Sequence, residues 1–277
     1  MKLVAYAKLN LFLHVIGRYP NGYHSIESLF AFCADLYDEI EIERAAKLSV
    51  RVVYSAFPEA YDIPEEDNLL YKILEYLGLK FEVKLYKKIP IGAGLGGGSA
   101  DAAVMINYLL QHNYISIDDI KLLSSFGADI PPCMVQKACI GVGIGDEIIA
   151  HLVLPELYAI IVKPLFSIAT RDIYVKSVSA FQKSCNIADL DVFNLESFKG
   201  FIATKHNGLL EPILFFYPEI KHLVSDIQSL EGCFYSNVSG SGSACFGLFE
   251  NKNDALKALQ AMRQKNKHDF LYVTQVI

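Results

Sequence analysis

The sequence predicts an α+β fold in two domains divided near residue 150. Three observations predict it: strand-like alternation over residues 1 to about 55, a glycine-rich loop between a strand pattern and a helix pattern at 81–110, and a strand, helix, strand order closing the second half. In the opening region Leu9 to Ile16 alternates, and Asp38-Glu39-Ile40-Glu41-Ile42-Glu43 interleaves acids with isoleucine, the pattern of a sheet with one buried face. Asn21-Gly22 between such runs signals a hairpin turn and sets Tyr23 and His24 at an exposed edge. Phe81, Val83 and Leu85 then alternate with Glu82, Lys84 and Tyr86, and Lys87-Lys88 and Pro90 end the strand. The helix after the loop takes Ser99 as its cap, keeps Asp101 in its first turn and packs Ala103, Val104, Leu109 and Leu110. A second helix is expected near Ile117 to Phe126, and Pro131-Pro132 is expected to stop any helix, leaving Asp129 at a corner. The pattern pauses at Leu152 to Pro155 before a strand at Tyr158 to Val162, which divides the chain into 1–150 and 151–277. Beyond that lie a glycine and serine turn at Asn237 to Ala244, a strand at Cys245 to Phe249, a helix with Ala255, Leu256, Leu259 and Met262 on one face, and a closing strand at Leu271 to Ile277.

Composition bounds the function. At 277 residues, 52% hydrophobic and 20% charged, the chain can bury a sizeable core and reads as globular. Its net charge of −6 argues against a nucleic-acid or anionic-membrane binder, since both need a broad basic face. Any anion site must be local, and Lys8, Lys87, Lys88, Lys163 and Arg171 are the cations nearest the motifs. Cys33, Cys133, Cys139, Cys185, Cys233 and Cys245 are scattered without a CxxC pair and read as free thiols in a reduced compartment. No apolar run reaches the roughly 20 residues that span a bilayer, and no signal-peptide pattern opens the chain. The expected location is cytoplasmic, with no obligate protein partner evident.

The most informative stretch is Pro90-Ile91-Gly92-Ala93-Gly94-Leu95-Gly96-Gly97-Gly98-Ser99-Ala100, in which five glycines and a serine run into a helix. Glycine lets the backbone approach a ligand, and the first helical turn presents unpaired N–H groups and a partial positive charge, so the arrangement suits phosphate. A flexible linker is the other reading of a glycine run, and the ordered patterns on both flanks weigh against it. The loop lacks the Gly-Lys-Ser/Thr of a Walker A sequence and is not a dinucleotide fingerprint. It resembles the nucleotide loop of the GHMP kinases, with Leu95 between glycines as the distinguishing detail.

Further motifs extend that resemblance over most of the chain: Ala7-Lys8-Leu9-Asn10-Leu11-Phe12-Leu13, Gly22-Tyr23-His24, Asp67-Asn68-Leu69, Gly127-Ala128-Asp129-Ile130-Pro131, and the turn around Gly240-Ser241-Gly242. By alternation Lys8, Asn10 and Phe12 share one strand face and Leu9, Leu11 and Leu13 the other; for an isolated lysine that would be a solvated face. The resemblance implies a two-domain kinase with its active site in the cleft between domains. It implies ATP-dependent phosphorylation of the 2-hydroxyl of a cytidine diphosphate-linked methylerythritol, with Asp129 the catalytic carboxylate and Lys8 its partner. Asn10 positions substrate, the loop from Pro90 to Ala100 binds ATP, and Asn68 lies near the adenine or simply caps a helix. Tyr23, His24 and Tyr174 are implied around the cytosine, with Thr170 and Gly240 also at the substrate. ATP implies Mg2+, for which Ser99 and Asp129 are candidates, and no metal residue is assigned. The sequence departs from the commoner family pattern at Asp101 and Pro132. The competing readings are a GHMP kinase for another alcohol, which Gly22-Tyr23-His24 argues against, and a silent nucleotide-binding module, which Lys8 and Asp129 argue against.

Overall fold

The computed structural model describes residues 1–54, 64–176, 181–185, 194–265 and 270–277. Strands β1 (Lys2–Arg18) and β2 (His24–Arg44) form a long antiparallel hairpin, and Gly22 takes φ +90° in its turn. β3 (Ser49–Tyr54) runs parallel to β4 (Phe81–Lys87), which pairs antiparallel with β2. Helix α1 (Leu69–Tyr76) lies between those strands in sequence, and α2 (Gly97–Gln111), α3 (Ile117–Ser124) and α4 (Ile130–Val135) follow. β5 (Cys139–Val142) pairs with β2, and β6 (Glu147–His151) pairs with β5.

The second half contains β7 (Leu157–Lys163), α5 (Thr170–Lys176), α6 (Leu195–Ala203), α7 (Leu210–Phe216), α8 (Glu219–Gln228), β8 (Tyr235–Val238), β9 (Cys245–Phe249), α9 (Lys252–Lys265) and β10 (Phe270–Val276). Its strands run in the order β10-β7-β9-β8, and β10 also meets β2, where Phe32 and Ile277 exchange backbone hydrogen bonds at 2.7 and 2.8 Å. The last strand therefore knits the two halves of the sheet together. On β4, Phe81, Val83 and Leu85 are buried as the alternation predicts, each worth ~1.5–3 kcal/mol against exposure. They share one buried core with Ala102, Ala103, Met105 and Ile106 of α2, so both ends of the loop between β4 and α2 are anchored in it.

Several local expectations fail for physical reasons, among them the place of Asp101, which lies beyond the first turn of α2. Gly96, at φ +67°, caps α2 in place of Ser99, because the chain enters the helix through a left-handed residue that glycine alone adopts cheaply. Pro131 and Pro132 start α4 instead of stopping a helix: first-turn N–H groups have no acceptor within the helix, so proline forfeits little there, and Asp129 becomes the N-cap residue. On β1 the pairing slips by one residue between Asn10 and Phe12. Phe12 consequently joins Leu9 and Leu11 in the core, while Leu13 lines the cleft beside Lys8 and Asn10. The face of Lys8 is not solvated, for Lys8 is 3% exposed and Asn10 2%.

All six cysteines are free; Cys185 and Cys233 are half-buried and the others buried. No helix among the described residues is long and apolar enough to cross a membrane.

Candidate active site

A cleft of about 1120 Å3 collects residues from β1, the hairpin turn, α1, the glycine loop, Asp129, α5 and the turn after β8. Lys8 and Asp129, far apart in sequence, meet in it with Nζ 3.1 Å from Oδ2. Asn10 holds the lysine from the other side: its Oδ1 accepts from Lys8 Nζ, and its Nδ2 donates to Ser28 Oγ at 2.8 Å. The Asn10 amide is thus oriented by Ser28, which in turn donates to Phe12 O at 2.7 Å. An ammonium this buried and doubly partnered is held in place, since leaving it unpaired would cost ~3–5 kcal/mol. The Asp129 side chain, 34% exposed, keeps one side open to the cleft.

The glycine loop is bound to this pair through the backbone. Lys8 N donates to Leu95 O at 2.9 Å, and the turn after β8 grips the loop through Ser239 Oγ to Gly94 O and Ala244 N to Ala93 O, both at 2.9 Å. A Cβ on Gly96 would lie 2.6 Å from Lys8 Cγ, so glycine there lets the lysine stem pass. Gly240, held by Asn207 Nδ2 donating to its carbonyl at 2.7 Å, comes similarly close to Asn10 Oδ1. At the head of the 15-residue α2, Gly97, Gly98 and Ser99 line the cleft ahead of the first intrahelical bond, Ala100 N to Gly96 O. Their free first-turn N–H groups and the helix dipole form a main-chain cradle for an anion, so these residues fit a nucleotide triphosphate. Pro90, Ile91, Gly92, Ala93 and Leu95 line the same wall.

At the other end, the His24 and Tyr174 rings stand 5.2 Å apart at 43°. Tyr174 thus pairs with His24, whereas Tyr23 is 60% exposed at the rim. His24 is itself buried, contrary to the expected exposed edge, and burial followed by the nearby Arg18 charge lowers its pKa. Burial, with Asp129 adding to it, raises the Tyr174 phenol pKa, so its hydroxyl stays protonated. Thr170 Oγ1 lies 2.7 Å from Ser241 Oγ, tying α5 to the turn that carries Gly240. Asn68 caps α1 by accepting from Leu70 N at 2.9 Å and also lines the cleft.

Comparison with known proteins identifies the family. Residues 68–150 match the model of the GHMP kinases N terminal domain, and residues 195–268 match that of the GHMP kinases C terminal. The 4-diphosphocytidyl-2-C-methyl-D-erythritol kinase of Anaplasma marginale (strain Florida) is 32% identical over 98% of this chain and 95% of its own length. The chain belongs to the GHMP kinase family. The same-named enzyme of Cereibacter sphaeroides (strain ATCC 17029 / ATH 2.4.9) is 34% identical over 93% of this chain and 92% of its own. A crystal structure of 4-(cytidine 5'-diphospho)-2C-methyl-D-erythritol kinase superposes with a TM-score of 0.79 at 29% identity, covering 100% of this chain and 99% of that one. The homoserine kinase from Cytophaga hutchinsonii ATCC 33406 shares the GHMP kinase fold, with a TM-score of 0.59 at 21% identity over 99% of this chain and 94% of its own.

Sequence reasoning missed the residues that hold this GHMP kinase site from behind. Ser28, Ser239 and Asn207 are buried and bear on Asn10, Gly94 and Gly240. Ser28 and Asn207 lie outside every motif, and only long-range packing brings them in.

Proposed function

We propose that this chain transfers the terminal phosphate of ATP to the 2-hydroxyl of 4-diphosphocytidyl-2-C-methyl-D-erythritol, a step of the non-mevalonate route to isoprenoid precursors. The Lys8–Asp129 pair beside a main-chain phosphate cradle is the observation that carries the reading. Phosphoryl transfer asks mainly for positioning and charge neutralisation, which a few residues can supply. Asp129 orients the acceptor hydroxyl by accepting its hydrogen bond, then takes the proton as the oxygen bonds to phosphorus and the bond to the ADP oxygen breaks. Lys8 offsets the charge of the transferring group, and Asn10 fixes both Lys8 and the acceptor end of the substrate. The loop from Pro90 to Ala100 holds the phosphates, with Asn68 toward the adenine. When bound, Mg2+ neutralises phosphate charge. Among the described residues no group of three or more His, Cys, Asp or Glu could hold a metal; Ser99 and Asp129, which line the cleft, are the side chains that would meet Mg2+ beside phosphates and water.

Tyr23, His24 and Tyr174 recognise the cytosine, supported by the ring pair of His24 and Tyr174, and Thr170 and Gly240 border the polyol. Tyr174→Leu should raise the KM for the cytidine substrate about tenfold, the loss of one base–aromatic contact, with the KM for ATP unchanged. Steady-state kinetics in both substrates would read the difference. The division into 1–150, for ATP, and 151–277 belongs to the same reading, as does a cytoplasmic location, supported by the free cysteines. The decisive experiment is a coupled ADP-release assay against a panel of alcohols: mevalonate, homoserine, a sugar and the cytidine-linked polyol. Release with the cytidine compound alone is the expected result, and release with any other member instead would overturn the assignment.

A further inference from the structure

Behind the glycine loop three residues that the sequence patterns left unconnected form one cluster. Asp38 of β2, Lys87 at the end of β4 and Asp101 in α2 are all buried, and Lys87 Nζ bonds to an oxygen of each carboxylate, at 2.8 Å for Asp101. The other oxygen of Asp38 accepts the backbone N–H groups of Lys88 at 2.6 Å and Ile89 at 2.9 Å. Lys87, Lys88 and Ile89 are the residues by which the chain enters the glycine loop, and Asp101 is in the helix into which it leaves. Lys87 and Asp101 touch the cleft, while Asp38 does not line it.

We propose that Asp38 is a positioning residue for ATP, which through Lys87 and the amides of Lys88 and Ile89 clasps the two ends of the phosphate loop at a fixed spacing. The two carboxylates are not equivalent within the clasp. Asp38 has a partner on each oxygen, whereas Asp101 Oδ1 is buried without a hydrogen-bond partner. Burial above all pushes the Asp101 carboxyl well above the usual carboxylate range, with Lys87 opposing and Asp38 adding to it. Burial also works against the Lys87 charge, but the carboxylates outweigh it and raise the lysine pKa. Lys87 thus bridges the two carboxylates, and Asp38 alone also holds the amides at the entrance to the loop.

The proposal rests on the loop from Pro90 to Ala100 being the ATP site, which the KM for ATP of Gly98→Ala tests separately. Asp38→Asn should raise the KM for ATP at least tenfold while leaving the KM for the cytidine substrate within twofold. A general loss of structure would instead move both KM values or the active fraction together. Equal rises in the two KM values, or an unchanged KM for ATP, in a folded Asp38→Asn protein overturns the clasp. If Asp38→Asn shows no cooperative thermal transition, the double variant Lys87→Met with Asp101→Asn decides. It removes one ammonium and one carboxylate, keeps the formal charge of the cluster and the Asp38 bonds to Lys88 and Ile89, and cuts the link across the loop. The same KM split supports the proposal in that protein, and its absence overturns it.

Discussion

Replacing Asp129 by asparagine is expected to lower kcat by about 10²–10⁴-fold, the usual contribution of a positioned proton acceptor, while the Kd of the cytidine substrate changes by less than about threefold. The split follows from the geometry. An asparagine oxygen can still accept from Lys8, and Asn10 Oδ1 holds that lysine independently, so the buried ammonium keeps its partners and the site its shape. What the amide cannot do is take the acceptor's proton. Rapid-quench or ADP-release kinetics gives kcat, and calorimetric titration gives binding. Turnover within a few-fold of wild type would remove Asp129 from the chemistry and leave it only the ion partner of Lys8.

The second large effect separates two glycines of one loop. At Gly94, with φ +74°, a Cβ would lie 2.2 Å from Ser239 O and 2.9 Å from Gly242 O, both backbone atoms that cannot swing aside. Gly94→Ala therefore carries ~1–2 kcal/mol of left-handed strain plus an overlap that pries the loop from the turn after β8. A total above about 3 kcal/mol lowers Tm by about 10 °C, and ATP turnover falls with it. Gly98 is the contrast: its φ is unremarkable, and a Cβ there meets nothing within 4 Å. In the first turn of α2, Gly98→Ala should hold or raise Tm, by about 0.5–1 kcal/mol of stability, because alanine has less chain entropy to lose. Yet that methyl would occupy the cleft at the phosphate cradle, so the KM for ATP should rise about tenfold. Calorimetric scans with kinetics on both variants test the pair, and an unchanged KM in Gly98→Ala would move the triphosphate away from α2.

Much of this was legible in local patterns. Alternation located β4 and its buried face, the Asn-Gly pair located the first hairpin, and the run at 245–249 matched β9 to the residue. Extending the β4 alternation one step past Phe81, Val83 and Leu85 even puts Lys87 on the buried face, and Asp101 falls within a buried apolar stretch of α2. Both were signals of the clasp. The slip after Asn10 was not legible, because a bulge is chosen by the strand opposite, and it exchanged Phe12 for Leu13 on the cleft face. Nor was the pairing of Tyr174 with His24, which depends on where α5 comes to rest.

The chain's own order of residues determined the elements, the glycine loop and the types of side chain able to handle a phosphate, since propensity, periodicity and turn chemistry act between near neighbours. Only the tertiary structure decided which of them share a cleft. Lys8, Asp129, Gly94 and Gly240 come together because strands distant in sequence pair and bury a common core, and the contacts so made are set by packing between segments that no local pattern encodes.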